Sequence, residues 1–470
     1  MIDTLRLTAE EALGLLERRE VSGSELHSAY AQAIAERDPE LHAFLTTVPR
    51  EEAPGEGVPI AFKDVIGTKG VRTTAGSKLL AGYVPVYDST VAARVKQAGL
   101  PLLGKTNTDE FAMGSSTENS AYGPSRNPWD PSRVPGGSGG GSAAAVSGGL
   151  APWALGSDTG GSIKQPAALC GIVGLRPTYG TVSRYGIVAF ASSLDQVGPT
   201  TKTVRDCALL YRLIAGRDPC DSTTVEAPAT ELPVADDLQG LRIGVPRELN
   251  EVEGIEAGVS EAVRAALEAA ERLGASVEEC SLPRSVEYGL PCYYLIAPAE
   301  ASSNLARYDG VRFGYRAQGG GDIRELYDRT RSEGFGEEPK RRIMLGTYAL
   351  SAGYYEAYYG KAQRVRTVIK REHDELFERF DLLASPTSST VAFRLGERAE
   401  NPLAMYLSDV LTIPSCMAGL PGLSIPCGLS QGLPVGLQLV GPQFAENMLF
   451  RAGHALEQAL GFDVVPERLR

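Results

Sequence analysis

Several residue types and patterns that mark particular classes of protein are scarce or missing in this chain. The seven cysteines are an odd number and include no C-x-x-C pair, so neither a disulfide framework nor a zinc site is indicated, and a reducing cytoplasm fits. No stretch reaches the roughly 18 apolar residues that span a bilayer, and residues 1–11 show no basic-then-apolar signal pattern. We therefore expect a soluble, cytoplasmic protein that does not contact a membrane.

Positive charge is also in deficit. The 470 residues include 46 basic and 58 acidic side chains, which gives a net charge of −12. Affinity for nucleic acids comes mainly from clustered lysine and arginine side chains that displace counterions from the phosphate backbone. The charge balance therefore disfavours direct binding of nucleic acid, and we expect any contact with RNA to need a partner protein.

The alternation of apolar runs with helical patterns indicates an α/β protein. Length alone suggests about three domains of about 150 residues, but large α/β enzymes often carry one sheet over such a span, and we predict a single domain over residues 1–470. The predicted strands cover 58–65, 101–104, 150–155, 241–245, 275–279, 382–385, 422–427 and 435–440. The predicted helices cover 90–98, 142–147, 259–273 and 445–460, and a charged helical cover spans about 300–380.

Two amphipathic helices are predicted within the first 45 residues. Thr8 and Glu11 have the spacing of a capping box, which satisfies free N–H groups at a helix start. Ser24 is predicted to open the second helix, which places Leu26 and Tyr30 on one face. Both helices are interpreted as packing elements.

Two tracts of small residues, 135–142 and 156–162, are the first candidates for chemistry. An isolated Gly/Ser tract is most often a flexible linker. These two tracts, however, adjoin the apolar segments 143–146 and 151–155, which should be buried. Glycines in that position indicate close backbone approach, and consecutive free N–H groups can hold an oxyanion or a phosphate.

A phosphate loop is the rival interpretation, because residues 99–106 match the Walker pattern G-x-x-x-x-G-K-T literally. A true phosphate loop follows a strand and opens a helix. Here a helical pattern precedes Gly99, and the residues between Gly99 and Gly104 form an apolar strand. The match is therefore interpreted as coincidence, with Lys105 either in a structural role or supporting a residue of the site.

An oxyanion site needs a nucleophile and a base, and histidine is a poor candidate for the base. The chain has only four histidines, none of which adjoins the glycine tracts: His27, His42, His373 and His454. A lysine that burial keeps neutral can activate a serine instead. Lys63 is the candidate because it is a single cation within an apolar strand pattern; the alternative is an ion pair with Asp64 at a sheet edge.

Lys63, Ser138 and Ser162 together resemble the Ser-cisSer-Lys triad of the amidase signature family. Ser162 follows Ser138 by 24 residues and Lys63 by 99, and the tract 156–167 reads GSDTGGSIKQPA, as is typical of that family. The resemblance covers essentially the whole chain. It implies a large mixed, twisted sheet covered by helices on both faces. It also implies that Ser162 is the nucleophile and that Ser138, in a cis peptide with Gly137, passes its proton to neutral Lys63.

The same resemblance assigns further backbone groups and shows two departures from the family pattern. The N–H groups of Thr159, Gly160 and Gly161 are expected to line the oxyanion hole. Gly139 stands where the family usually has a serine, and Lys164 where it usually has an arginine. The first departure removes a hydroxyl that could support the loop, and the second keeps the charge without the planar fork of arginine. We expect modest effects from both.

Three further stretches, 300–305, 340–355 and 406–409, are similar to a branch of that family, the glutaminase (A) subunits of tRNA-dependent amidotransferases. This similarity implies that Arg342 holds the carboxylate of free glutamine, that Asp409 holds its amino group, and that Tyr293 lines the site. An amino acid needs one cation and one anion to be fixed at both ends. By pattern alone, Arg342 would instead belong to a solvated basic face of residues 340–342.

The resemblance to these glutaminase subunits implies that this chain has partner subunits and that it produces ammonia. In such heterotrimers the B subunit handles tRNA and ATP with Mg²⁺, and a small C subunit joins the glutaminase to B. This chain would then need no metal or cofactor of its own, and its ammonia would pass through an internal tunnel to the B subunit. Whether glutamate-tRNA or aspartate-tRNA is corrected depends on the partner.

Three alternatives stay open from the sequence. The first is a stand-alone amidase that acts on another small amide and does not need Arg342 and Asp409. The second is a nucleotide-binding protein that uses residues 99–106. The third is a catalytically silent scaffold, which is excluded if replacing Ser162 changes any turnover.

Overall fold

The computed structural model describes residues 2–234, 237–319 and 321–470. Within these ranges eleven strands form one sheet. The strands are β1 (Phe44–Thr47), β2 (Ile60–Lys63), β3 (Leu102–Thr106), β4 (Trp153–Asp158), β5 (Val173–Arg176), β6 (Gln196–Thr201), β7 (Arg242–Pro246), β8 (Ser276–Cys280), β9 (Leu382–Pro386), β10 (Gly422–Ser430) and β11 (Leu433–Val440). Their order across the sheet is β1-β3-β2-β4-β6-β5-β10-β11-β9-β7-β8.

The sheet is mixed and its centre is buried on both faces. Parallel pairs join β2 to β3 and β4, and β7 to β8 and β9, while the other pairs are antiparallel. Every residue of β2 to β6, β9 and β11 is buried. Successive side chains of a strand point to opposite faces, so layers must cover both sides. This confirms the predicted fold class.

Fifteen α-helices of the described ranges cover this sheet. They are α1 (Ala9–Glu17), α2 (Gly23–Leu41), α3 (Thr90–Gln97), α4 (Gly140–Ser147), α5 (Lys164–Cys170), α6 (Val204–Ile214), α7 (Arg247–Asn250), α8 (Ala257–Arg272), α9 (Pro283–Asn304), α10 (Ile323–Gly334), α11 (Glu337–Ala349), α12 (Lys361–Phe377), α13 (Pro402–Leu407), α14 (Ile413–Met417) and α15 (Glu446–Leu460). The capping box of Thr8 and Glu11 is present at α1, and Gly461 ends α15 in the left-handed conformation.

Other boundaries differ from the sequence prediction. Ser22, not Ser24, caps α2, because its side chain accepts the N–H of Glu25 while the Glu25 carboxylate accepts the N–H of Ser22. The strands β1, β5 and β6 were not predicted. In β6, Gly198 and Pro199 hide the strand, since both residues are depleted in sheets.

The helical cover also begins earlier than the predicted residue 300. Helix α9 starts at Pro283, and it contains Pro291 and Pro298, which interrupt the helical sequence pattern. Helices α11 and α12 pack against α9, whose Tyr293 lies against the nucleophile loop described below. This segment therefore belongs to the surroundings of the candidate site.

The topology brings two loops of interest to one edge of the sheet. Strand β2 ends at Lys63, and its parallel neighbour β4 ends at Asp158. The carboxyl ends of parallel neighbours share an edge, which is where α/β sheets usually bind ligands. The tract 159–162 and the start of α5 follow β4 directly, so Lys63 and Ser162 lie at the same edge of the sheet.

Candidate active site

Lys63 and Ser138 form a buried hydrogen-bonded pair. The Nζ of Lys63 donates to the Oγ of Ser138 at 2.6 Å and to the carbonyl oxygen of Ser157 at 3.1 Å. Both side chains are inaccessible to solvent. Burial disfavours the ammonium form and lowers the pKa of Lys63 to about 8, although nearby Asp109 and Asp158 oppose the shift. A neutral lysine is therefore accessible near neutral pH. Asp64, the alternative partner of Lys63, pairs with Lys105 instead.

Asp109 supports the peptide that carries Ser138. The Gly137–Ser138 bond is cis, as the resemblance implies. A Cβ on Gly137 would lie 2.3 Å from the Oδ2 of Asp109, so only glycine fits against this carboxylate. Asp109 accepts the N–H groups of Thr117 and Asn119 at 2.9 and 3.0 Å. Burial raises the pKa of Asp109 to about 6.

The two glycine tracts meet at Ser162. The N–H of Gly139 donates to the carbonyl oxygen of Ser162 at 3.1 Å, and the Ser162 side chain is 8% exposed. No hydrogen bond of the Ser162 hydroxyl to another described residue is present, so this oxygen is available to a substrate. A Cβ on Gly139 would lie 2.5 Å from the Ser162 carbonyl oxygen. A serine at position 139 would therefore require these two backbone segments to move apart, and the effect of this departure on activity stays a prediction.

Asp158 fixes the loop around the nucleophile. Its carboxylate accepts the N–H groups of Gly161 and Ile163, both at 3.0 Å, and pairs with Arg176 at 3.1 Å. Burial alone would raise the pKa of Asp158, but Arg176, Lys164 and the backbone donors hold it below its usual value. The carboxylate is therefore ionised and anchors the backbone on both sides of Ser162.

The predicted oxyanion hole is packed closely. The N–H of Gly161 donates to the Oδ1 of Asp158 at 3.0 Å, and its φ of +137° lies in the region that favours glycine. The side chain of Thr159 donates to Asp195 at 2.7 Å. The carbonyl oxygen of Gly160 accepts the Thr412 hydroxyl at 2.6 Å. These contacts fix the conformation of the loop, and the role of its N–H groups stays a prediction.

Tyr293 of α9 lies directly against this loop. A Cβ on Gly160 would be 3.0 Å from the Tyr293 Oη. Burial raises the pKa of Tyr293, while the charge of Arg342 lowers it and that of Asp409 raises it. Both charged groups are thus within electrostatic reach of the same phenol. The three predicted substrate-binding residues therefore lie in one electrostatic neighbourhood, and their binding of substrate stays a prediction.

Arg342 is buried, not part of a solvated basic face. Its side chain is 3% exposed, and its Nε donates to Glu338 at 2.6 Å. Its Cζ lies 5.3 to 5.5 Å from the ring centres of Phe190, Tyr294 and Tyr406. The sequence alternative, in which residues 340–342 form one solvated basic face, is therefore wrong for Arg342.

Asp409 is the matching anion. It is 8% exposed, and its Oδ2 accepts the Ser115 hydroxyl at 2.5 Å. Burial raises the pKa of Asp409 to about 7, while the Ser115 hydroxyl and the charge of Arg342 oppose the rise. Above that pH Asp409 is a buried anion within electrostatic reach of the buried cation Arg342, and a zwitterionic amino acid requires one charge of each sign.

Sequence reasoning missed several supporting residues. Gln165 is fully buried, and its side chain accepts the Gly137 N–H and donates to the Ser115 carbonyl oxygen, both at 3.0 Å. Glu338 lies four residues before Arg342, a spacing that pairs side chains on a helix and could have identified it. Asp109 and Ser115 contact the site through Gly137 and Asp409, which are distant in sequence, so no local signal marks them.

The second departure from the family pattern also has a structural role. The Nζ of Lys164 donates to the Oγ of Ser415 at 3.0 Å and to the Oε1 of Gln438 at 2.7 Å. Lys164 is fully buried. It therefore ties α5, which follows the nucleophile, to α14 and β11.

The Walker-like stretch does not form a phosphate loop. Gly99 follows α3, and Lys105 lies inside β3 with no exposed surface. The Nζ of Lys105 donates to the carbonyl oxygen of Ile66 and, at 2.8 Å, to the Oγ1 of Thr73. Lys105 is therefore a buried structural residue that joins β3 to the segment after β2, as its sequence context predicts.

The remaining sequence expectations concern histidine, cysteine, metals and membranes. His27, His373 and His454 lie in α2, α12 and α15, and His42 ends α2. All seven cysteines are free thiols. Across 2–234, 237–319 and 321–470, no three His, Cys, Asp or Glu side chains are grouped to hold a metal ion. In the same ranges every helix is too short or too polar to cross a membrane.

Comparison with known proteins identifies the family. A family model described as Amidase matches residues 22–450. The chain belongs to the amidase family. The match includes all the residues placed at the candidate site above, from Lys63 to Asp409.

Individual members of the family are similar to this chain to different degrees. This amidase is 58% identical to the A subunit of Glutamyl-tRNA(Gln) amidotransferase from Moorella thermoacetica, over 96% of each chain. It is 48% identical to the A subunit of Glutamyl-tRNA(Gln) amidotransferase from Thermotoga maritima, whose crystal structure matches with a TM-score of 0.84 over 97% of this chain and 96% of that one. Peptide amidase from Stenotrophomonas maltophilia is 28% identical, with a TM-score of 0.81 over 99% of each chain.

Proposed function

We propose that this amidase is the glutaminase subunit of a tRNA-dependent amidotransferase, which releases ammonia for converting Glu-tRNA(Gln), Asp-tRNA(Asn) or both to the amidated form. The observation that carries the proposal is the buried pair of opposite charges, Arg342 and Asp409, beside the Ser162 loop. Free glutamine presents a carboxylate and an ammonium at one end and the reacting amide at the other. The overall similarity to proteins named as amidotransferase A subunits supports the same assignment.

The proposed reaction begins with acyl transfer to Ser162. Its Oγ attacks the side-chain carbonyl carbon of glutamine, and its proton passes through Ser138 to the neutral Nζ of Lys63. The N–H groups of Thr159 and Gly160 stabilise the negative charge that develops on the carbonyl oxygen, while the Gly161 N–H, which donates to Asp158, holds the loop in place. The C–N bond then breaks, and the proton held by Lys63 returns through Ser138 to the departing nitrogen, which leaves as ammonia.

Hydrolysis of the ester completes the cycle. Water attacks the γ-glutamyl ester carbonyl and gives up a proton through Ser138 to Lys63. The Ser162 oxygen then leaves and regains that proton, so glutamate and free Ser162 result. No redox step and no metal enters this sequence, and we expect ATP and Mg²⁺ to be bound by the partner subunit.

We further propose that B and C subunits bind this chain in the cytoplasm and that tRNA is bound mainly through the B subunit. The net charge of −12 supports an indirect contact with tRNA. An exposed aromatic surface supports a protein partner. It comprises six side chains that are 37–71% exposed: Met344, Leu345, Tyr348, Tyr354, Tyr355 and Tyr358. Exposed clusters rich in tyrosine and methionine are typical of protein interfaces.

Substrate analogues test the assignment against a stand-alone amidase. Ammonia release would be measured with glutamine, with 4-carbamoylbutanoate, which lacks the amino group, and with 4-aminobutanamide, which lacks the carboxylate. The assay uses the chain alone and together with the B and C subunits. We expect glutamine to be preferred about 100-fold in kcat/KM over each analogue, because each leaves a buried charge unpaired. Equal turnover of all three amides would indicate the stand-alone amidase instead.

A further inference from the structure

Glu338 is a buried carboxylate at the candidate site that the proposed mechanism does not use. It lies on α11, four residues before Arg342, and is 7% exposed. Its Oε1 accepts the Nε of Arg342 at 2.6 Å and the Tyr406 hydroxyl at 3.0 Å. Its Oε2 pairs with Arg341. Three donors from two elements therefore fix the position of this carboxylate.

These contacts determine which edge of the Arg342 guanidinium is free. A guanidinium carries five N–H donors, one on Nε and two on each Nη. Glu338 takes the Nε donor, while no acceptor among the described residues contacts either Nη. With Nε occupied, the two Nη donors at the outer edge can still bind a carboxylate in bidentate fashion. The aromatic rings of Phe190, Tyr294 and Tyr406 hold the plane of the group.

The charge balance is compatible with anion binding at that edge. Arg342 and Glu338 alone would nearly cancel, which would weaken the attraction for a substrate carboxylate. Arg341, which is partly exposed, supplies a second positive charge to Glu338. The three side chains therefore carry one net positive charge, which favours an anion at the Nη edge of Arg342.

We propose that Glu338 is a positioning residue that turns the Nη edge of Arg342 toward the α-carboxylate of glutamine and so sets the preference for substrates with that group. This inference rests on the proposed function. It assigns to Glu338 no contact with the substrate and no part in the acyl transfer. Its effect acts only through Arg342.

The test compares two amides in variants of Glu338. Steady-state kinetics would be measured for glutamine and for 4-aminobutanamide, which lacks the carboxylate, with the chain in its complex with the B and C subunits. We expect Glu338→Ala to raise KM for glutamine about tenfold and to leave kcat/KM for 4-aminobutanamide within about twofold. Glu337→Ala is the matched control, because Glu337 is the exposed neighbour on the same helix, and it should change neither amide.

Two further variants separate position from charge and keep the test decisive if the alanine variant does not fold. Glu338→Gln keeps an oxygen at the same reach for Nε, so KM for glutamine should stay within about threefold of the original. Glu338→Asp keeps the charge but withdraws it by one methylene, so KM should rise about tenfold.

A larger rise in KM for glutamine in Glu338→Gln than in Glu338→Asp would overturn the role of Glu338. An equal loss of kcat/KM with glutamine and with 4-aminobutanamide would overturn it as well. That result is distinct from failure of the proposed function, in which the original protein itself would not prefer glutamine to 4-aminobutanamide.

Discussion

The Nζ of Lys63 and the Oγ of Ser138 lie 2.6 Å apart in a fully buried environment, on two segments that are 75 residues apart in sequence. The lysine can accept a proton from this hydroxyl only when it is neutral. Burial has lowered its pKa to about 8, so the protonated form prevails below that pH and the neutral form above it. We therefore expect catalysis to depend on pH.

The first prediction follows from that pKa. We expect kcat/KM to fall about tenfold per pH unit below pH 8 as Lys63 becomes charged, and to level off above it. The measurement is a pH profile of kcat/KM with 4-carbamoylbutanoate. This amide has no ammonium group for Asp409 to attract, so the titration of Asp409 does not contribute to the profile. A rate that stays constant from pH 9 to pH 6 would exclude Lys63 as the base.

The second prediction concerns Asp409. Its pKa of about 7 means that the carboxyl is neutral below that pH and loses its attraction for the ammonium group of glutamine. KM for glutamine should therefore rise as pH falls from 8 to 6. Asp409→Asn should raise KM about 10- to 100-fold and abolish this pH dependence, because the amide carries no titrating charge.

The control for Asp409 is the analogue without an amino group. KM for 4-carbamoylbutanoate should change little between the original protein and Asp409→Asn. If the substitution weakened both amides equally, Asp409 would be a structural residue and would not recognise the ammonium group.

The third prediction concerns Gln165, which joins the Gly137 N–H to the Ser115 carbonyl oxygen. Gln165→Leu leaves both buried groups without a partner, so the free energy of unfolding should fall by about 2 kcal/mol or more. Because Gly137 precedes Ser138 and Ser115 holds Asp409, glutamine turnover should fall as well. Denaturant unfolding and steady-state kinetics measure the two effects.

A second buried glutamine provides the comparison for Gln165. Gln438 bonds Lys164, Ser385 and Leu411 but neither glycine tract. Gln438→Leu should destabilise the protein to a similar extent with a smaller loss of kcat. Equal losses of kcat in both variants would show that general destabilisation, not the position of Gly137, explains the effect.

The fourth prediction concerns the exposed aromatic surface of residues 344–358. Met344→Glu combined with Tyr348→Glu places charge on two side chains that are 71% and 50% exposed. Affinity for the B and C subunits, measured by analytical ultracentrifugation, should fall at least about tenfold. Val86→Glu, at another exposed apolar residue, should leave assembly unchanged. Equal assembly of both variants would exclude this surface as the interface.

The parts of the fold that sequence predicted best are those with continuous apolar runs. Strands β2 and β4 are buried on both faces, and their sequences are correspondingly apolar, so they could be identified without tertiary information. Strand β6 carries Gly198 and Pro199 at its centre and becomes a strand only because β4 and β5 flank it. Its register is decided by neighbours distant in sequence.

In the candidate site, too, some residues could be identified from local sequence and others depend on neighbours distant in sequence. Lys63 could be singled out because a lone cation in an apolar strand is unusual. The structure places it at the end of β2, where it is fully buried, as the strand pattern predicts. The burial of Arg342 could not be read from residues 340–342, because Phe190 and Tyr406 supply its surroundings. The catalytic and binding roles of these residues stay predictions until they are measured.

The most direct test of the account is peptide-mapped mass spectrometry after reaction with an electrophilic glutamine analogue. The chain would be labelled alone and with its B and C subunits, with Ser162→Ala as the control. We predict a single label on Ser162 that free glutamine competes away and that the variant lacks. No label on Ser162 in the complex, together with turnover of some other amide, would contradict the assignment of nucleophile and substrate.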